Sequence, residues 1–145
     1  MVTLTEAAIL VHGVLDADTS LRASHMLKSA NRIFNHPQRP ALRNNPALTI
    51  EVRTDGKGER GTVNFFVRLR LYLDDFGEDT ADVTRAGAIQ ARLEELLDGK
   101  QLTNANGVVC RGCFSDFDSG PHQDQEFPRE AAWVFDYNLK GCEKV

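Results

Sequence analysis

The sequence predicts an α+β fold: a mainly antiparallel β-sheet with two α-helices packed on one face, in the order helix, strand, strand, helix, strand, strand. Three observations carry this reading. Over residues 63–73, Val63, Phe65, Val67, Leu69, Leu71 and Leu73 alternate with Asn64, Phe66, Arg68, Arg70 and Tyr72, and a period of two marks a strand with one buried face. Two segments, near the N-terminus and over residues 80–97, repeat their apolar residues at helical spacing. Strand patterns resume in the last third, where Trp133, Phe135, Tyr137 and Leu139 alternate with Val134, Asp136 and Asn138.

Each element has a local cause. Thr3-Leu-Thr-Glu6 has the form of a capping box, and Ala7, Ala8, Val11, Val14 and Leu15 follow it as an apolar stripe. This first helix is expected to end within Asp16–Ser20, whose short polar side chains compete for the backbone. A weaker helical turn is expected over Leu21–Leu27. Ala30–Pro46 reads as a long irregular segment, because Pro37, Pro40 and Pro46 each disfavour helix at the residue before them. Leu48, Ile50 and Val52 alternate with Thr49, Glu51 and Arg53, which predicts a strand. The glycine-rich connection Thr54–Gly61 then predicts an antiparallel hairpin with the 63–73 strand, with a long flexible tip. The second helix, over Thr80–Leu97, has a stripe of Val83, Ala86, Ile89 or Gln90, Leu93, Leu96 and Leu97. Acidic residues crowd its start, and Gly99-Lys100 stops it. Val108–Phe117 predicts one further strand and the Trp133–Leu139 alternation another, joined by the long polar loop Ser115–Arg129.

Composition sets the outer bounds. At 145 residues the chain is one domain, residues 1–145, large enough to bury a core without staples; 41% hydrophobic and 26% charged residues suit a globular protein. No apolar run approaches bilayer length, so no membrane partner is expected. The N-terminus lacks a basic and a long apolar region, so secretion is not expected. Three cysteines suggest no disulfide framework and point to a reducing compartment. Residues 1–73 hold ten Lys/Arg against six Asp/Glu, a balance of +4, and residues 74–145 hold seven against fifteen, a balance of −8. Either the two halves present opposite charge on different surfaces and copies pack head to tail, or both fold into one sheet and the charges intermix.

A search for chemistry finds none. Asp55-Gly-Lys-Gly-Glu-Arg-Gly61 lacks the phosphate-loop spacing and joins two strands instead of opening a helix. Cys110-Arg-Gly-Cys113 has C-x-x-C spacing, but a zinc site needs four ligands, and positions i and i+3 of a regular strand face opposite ways, which separates the sulfurs. Small buried cysteines are the expected outcome. Asp74, Asp75, Glu78, Asp79 and Asp82 read as a solvated helix start. Asp116, Asp118, Asp124 and Glu126 lie with His122 on a loop that offers little to hold a catalytic geometry. His12, His25, His36 and His122 follow no ligand or triad pattern. Arg68 and Arg70 beside Phe66 and Tyr72 suit either nucleic acid or a half-exposed sheet face that meets another subunit, and the overall acidity favours the second. No enzyme activity, cofactor or metal is expected. What the residues offer is surface for assembly: two long polar loops, a hairpin, a charge split and a sheet whose second face carries Phe66, Tyr72 and Val134.

The chain resembles the tail-terminator and tail-completion (head–tail joining, neck) proteins of long-tailed bacteriophages. The resemblance rests on the opening helix Glu6-Ala-Ala-Ile-Leu-Val-His-Gly-Val-Leu15, the proline-rich segment ending in Asn45-Pro-Ala-Leu-Thr-Ile-Glu-Val52, and the strand Val63–Leu73 ending in Tyr72-Leu-Asp-Asp75. It continues through Ala91-Arg-Leu-Glu-Glu-Leu-Leu97 and the final Trp133-Val-Phe-Asp-Tyr137. The Ser115–Arg129 loop is longer and more acidic than the family pattern. The resemblance implies a non-enzymatic virion protein located at the tail and neck. Its copies would form a ring, hexameric in this family, that caps the tail tube and docks to the head-side connector. Packaged DNA would pass through the channel without sequence-specific binding. In a closed ring each subunit uses two different, complementary surfaces. The candidate channel- or tube-facing residues are Arg53, Lys57 and Arg60 on the hairpin, with Asp55 and Glu59 tempering their charge. The candidate subunit-interface residues are Arg68, Arg70, Asp116, Asp118, Asp124 and Glu126. A tube subunit, a capsid-side connector and a non-viral nucleic-acid-binding domain are the competing readings.

Overall fold

A computed structural model describes residues 1–24, 33–34, 47–72, 80–116, 122–123 and 132–145 of the chain. Helix α1 spans Leu4–Asp16. The Thr3 hydroxyl accepts from the Glu6 amide at 3.2 Å and the Glu6 carboxylate accepts from the Thr3 amide, so the expected capping box is formed. A single π-helical turn over Ser20–Ser24 follows, and the Leu21 amide donates to Asp18 Oδ2 at 2.9 Å. Strand β1 (Ile33–Phe34) pairs parallel to β2 (Ala47–Lys57), within a segment expected to be irregular; two residues are too few to leave an alternation in the sequence. Strand β3 is Val63–Tyr72, helix α2 Thr80–Leu97, β4 Lys100–Thr103, β5 Val108–Ser115, β6 His122–Gln123 and β7 Ala132–Lys144.

The sheet runs in the order β1-β2-β3-β7-β5-β4, with β6 alongside β7. All pairings but β1–β2 are antiparallel. One core joins both helices to one face of this sheet. Ala7, Leu10, Val11 and Leu15 from α1 and Ala86, Ile89, Leu93 and Leu97 from α2 cluster with Leu48, Ile50, Phe65, Val67, Leu69, Phe135, Tyr137 and Leu139. The molecule is therefore a single α+β domain, as the patterning predicts. Arg92 of α2 clamps the helices together: its Nε and Nη2 reach the two carboxylate oxygens of Asp18 at 3.0 and 2.5 Å. The Asp18 side chain is 7% exposed. Asp18→Asn loses the charge while keeping the size, and a lower urea midpoint, equivalent to about 1–2 kcal/mol, is the expected result.

Besides β1, two strands of the sheet escaped the sequence reading. β4 is a four-residue edge strand, where Gly99, at φ +72, turns the chain out of α2. β6 lies inside the expected polar loop and pairs with Trp133 and Val134. The first hairpin strand also runs further than expected: β2 continues to Lys57, opposite Val63. Its tip is a short 3-10 turn, Glu59–Gly61, closed by hydrogen bonds from the Gly58 amide to the Thr62 carbonyl (2.9 Å) and from the Thr62 amide to the Glu59 carbonyl (3.1 Å). Gly58 is required there, because a Cβ would sit 2.3 Å from Thr62 Oγ1. Gly58→Ala is expected to cost about 1–2 kcal/mol, read as a fall in thermal midpoint with an unchanged circular dichroism spectrum.

Three strands of the sheet each carry an extra residue at one level. Val63 faces Cys142 while Phe65 faces Leu139, so β7 holds one residue more than β3. Lys100 faces Cys113 while Leu102 faces Cys110, so β5 likewise exceeds β4. Thr54 faces Phe65 while Lys57 faces Val63, so β2 exceeds β3. Each is a β-bulge, and Gly56 (φ +103) and Gly141 (φ +67) supply the left-handed backbone that two of them use. The Gly141 amide, displaced from the ladder, donates to Asn64 Oδ1 at 2.9 Å. Because β5 keeps register with β7 through this level, both strands switch faces together. Cys110 and Cys142 stand opposite each other below the bulge, and Cys113 stands opposite Leu139 above it. All of these cysteines enter the core. The expectation that the i, i+3 spacing sends Cys110 and Cys113 to opposite faces is corrected by the bulge, which shifts the alternation by one residue between them.

Candidate assembly interface

The second face of the sheet, away from the helices, is built in rows set by strand register. One row reads Glu51 on β2, Arg68 on β3 and Asp136 on β7. Arg68 donates to both oxygens of Asp136, Nε to Oδ1 at 2.9 Å and Nη2 to Oδ2 at 3.2 Å. Its guanidinium also lies 5.6 Å from the centre of the Phe66 ring, within cation–π range. Arg70, one row further along β3, reaches back to Glu51: its Nη1 donates to Oε2 at 2.5 Å, while Arg53 Nε donates to Oε1 at 3.1 Å. A single carboxylate thus receives two guanidinium groups. Burial pushes the Glu51 carboxyl up, but the hydrogen bonds and charges of Arg70 and Arg53 outweigh it and hold it below the usual glutamate range.

The next row toward the hairpin tip reads Arg53, Phe66, Asn138 and Phe114. Phe114 is 48% exposed. Its ring lies over Gly112, where an added Cβ would sit 2.6 Å from a ring carbon. Lys140 approaches Asp55 at 3.5 Å beyond this row, and both are about half exposed. The result is a surface of aromatic rings set among arginine–carboxylate pairs. A fixed pattern of this kind suits a protein contact, since arginine and aromatic side chains are enriched where proteins meet.

The candidate residues fall in different places. Arg68 is partly exposed in the bidentate pair with Asp136, whereas the Arg70 side chain is only 2% exposed and lies within the subunit. Arg53 shares Glu51 with Arg70, while Lys57 and Arg60 are exposed beside the tip. Arg60 adopts a left-handed backbone, φ 55 and ψ 39. Asp116 is exposed at the end of β5, where its amide donates to the Asp136 carbonyl at 2.9 Å. It stands near Asp98, whose Oδ1 accepts from the neighbouring Ser115 amide at 2.8 Å. Asp118, Asp124 and Glu126 lie outside the described residues, as do Asp74, Asp75, Glu78 and Asp79. Sequence reasoning missed Glu51, Asp136 and Phe114 as members of the surface. The alternation of each strand carries the signal, but only register shows which acid meets which base.

Among the described residues the two halves of the charge split meet in ion pairs. Ion pairs join the two halves at Glu6–Lys144 (2.8 Å), Asp18–Arg92 (2.5 Å), Asp55–Lys140 (3.5 Å) and Arg68–Asp136 (2.9 Å). Among the described residues no group of three or more His, Cys, Asp or Glu side chains is placed to hold a metal ion, and no helix is long and apolar enough to cross a membrane.

The chain matches no protein-family model and no curated protein sequence. It does share its fold with a solved chain from the virion of a native gene transfer agent particle. The TM-score is 0.61, the aligned residues are 11% identical, and the match covers 94% of each chain.

Proposed function

We propose that this protein is a structural component of a phage-like virion, whose copies close into a ring that ends the tail tube and joins the tail to the head. The observation that carries the reading is the end-to-end fold likeness, 94% of each chain, to a component of a gene transfer agent virion. The row of Arg53, Phe66, Asn138 and Phe114 supports it as a surface suited to protein contact. On this reading the protein is not an enzyme, takes no cofactor, and works with itself, the tube protein and head-side connector proteins.

In the ring, the hairpin tip with Lys57 and Arg60 faces the channel or the tube below, and Asp55 and Glu59 keep it from holding DNA that must slide past. Because Arg68 is already paired bidentately with Asp136 and Arg70 is enclosed, the neighbour is met by Phe66, Phe114 and the exposed ends of these pairs. The test is negative-stain imaging of the purified protein, alone and with tail tubes, beside its sedimentation mass across concentration. Closed rings of one size seated at tube ends are the expected result. Polymers that lengthen with concentration would instead indicate a tube subunit. A strict monomer beside every virion component would overturn the proposal. Replacing Gly56–Gly61 by a two-residue turn should leave the subunit folded and yield unjoined heads and tails, counted by microscopy; normal particles from that variant would remove the tip from the docking role.

A further inference from the structure

We propose that Cys110 and Cys142 form a latent disulfide site, a clasp that joins β5 to the C-terminal end of β7 when the protein meets an oxidant. The two residues are direct cross-strand partners and both belong to the core. Cβ atoms of residues directly opposite in an antiparallel pair are about 4.5–5.5 Å apart, a short adjustment from the spacing a disulfide needs. Both residues are free thiols and fully buried. The third cysteine does not compete. Cys113 shares a strand with Cys110, and neither of its cross-strand partners, Lys100 and Leu139, is a cysteine. Cys113 faces Leu139, not Cys142.

The surroundings favour Cys110 as the attacking sulfur. The Cys142 thiol hydrogen-bonds to it and lowers its ordinary value, although burial opposes this. The same contact, with burial, pushes the Cys142 thiol up. Cys113 is pushed up to about 12, chiefly by burial, and stays a neutral thiol.

With oxidised glutathione, a disulfide oxidant, the steps balance as follows. The Cys110 thiol gives up its proton and its sulfur attacks one glutathione sulfur. The glutathione S–S bond breaks, and one glutathione leaves as a thiolate that takes up a proton. Cys142 then loses its proton, attacks the Cys110 sulfur of the mixed disulfide and expels the second glutathione. The two cysteines lose two hydrogens and two electrons, and one glutathione disulfide is reduced to two thiols. Such a bond forms outside a reducing cytoplasm and is undone inside it.

The test treats the folded full chain with oxidised glutathione, then maps peptides by mass spectrometry without reduction. A single Cys110–Cys142 linkage within one chain is expected. It should form equally in Cys113→Ser, be absent in Cys142→Ser, and raise the thermal midpoint until dithiothreitol is added. A Cys110–Cys113 linkage, a disulfide between two chains, or three free thiols after prolonged exposure would each overturn the proposal. If Cys142→Ser fails to fold, the map of the unmutated chain decides alone.

Discussion

Glu51→Ala is expected to lower stability by about 2–3 kcal/mol, read as a fall in the urea midpoint at neutral pH. The effect is large because of what the side chain serves. Arg70 is 2% exposed, and a guanidinium cannot shed its proton to escape burial. Glu51 supplies a carboxylate at 2.5 Å and is itself held by Arg53. Taking away one partner of an enclosed pair costs far more than the pair contributes over apolar residues of the same shape. Glu51→Ala combined with Arg70→Met should therefore recover much of the loss; equal instability of the single and double variants would show that the pair is not the cause. The same site sets an acid limb. The folded carboxyl titrates below its unfolded counterpart, so its contribution is complete above the unfolded value and is lost as pH falls through the folded one. Urea midpoints followed from about pH 7 to about pH 3 should fall more steeply for the unmutated chain than for Glu51→Gln.

How far the fold could be read in advance depended on the length of each pattern. The strand Val63–Tyr72 and the helix Thr80–Leu97 carry long, regular periods, and both stand within one residue of their expected bounds. The capping box at Thr3 and Glu6 is local chemistry, complete within four residues. What was not legible depends on partners distant in sequence. β1 and β6 are two residues each and exist only through a neighbour that completes their hydrogen bonds. β4 reads as a helix exit until β5 is seen beside it. Among the candidate surface residues, alternation placed Arg68 and Arg70 together, yet their environments differ sharply. Arg68 meets Asp136 at the surface, and Arg70 turns inward to Glu51.

The pairing of the chain's two halves follows from the same topology. β7 inserts between β3 and β5, so the acidic second half lies against the basic first half inside one sheet. Among the described residues four ion pairs thereby join the two halves within one chain, and in the proposed ring complementarity between copies must come from local patches. Arg53, Phe66, Asn138 and Phe114 make the most continuous such patch among the described residues, because strand register aligns all four. Substituting both Phe66 and Phe114 by serine should leave the fold intact, since neither belongs to the core, while weakening self-association in sedimentation; unchanged association would move the contact elsewhere.

Gly141→Val is expected to cost about 2–3 kcal/mol, more than most surface substitutions. Gly141 holds φ at +67. A β-branched residue is a true outlier in that region, so valine would either strain the backbone or erase the bulge. Erasing it is the costlier route. Without the extra residue, the alternation that seats Phe135, Tyr137 and Leu139 in the core would carry a surface position into the place of Cys142, because a shift of one residue turns every side chain to the other face. The Asn64 carbonyl oxygen would lose the Gly141 amide as well. Asn64→Ala, which removes the acceptor but keeps the glycine, should cost roughly 1 kcal/mol. The ordering of the two variants in thermal melts is the check: Gly141→Val well below Asn64→Ala places the control in the backbone, whereas equal effects would place it in the hydrogen bond.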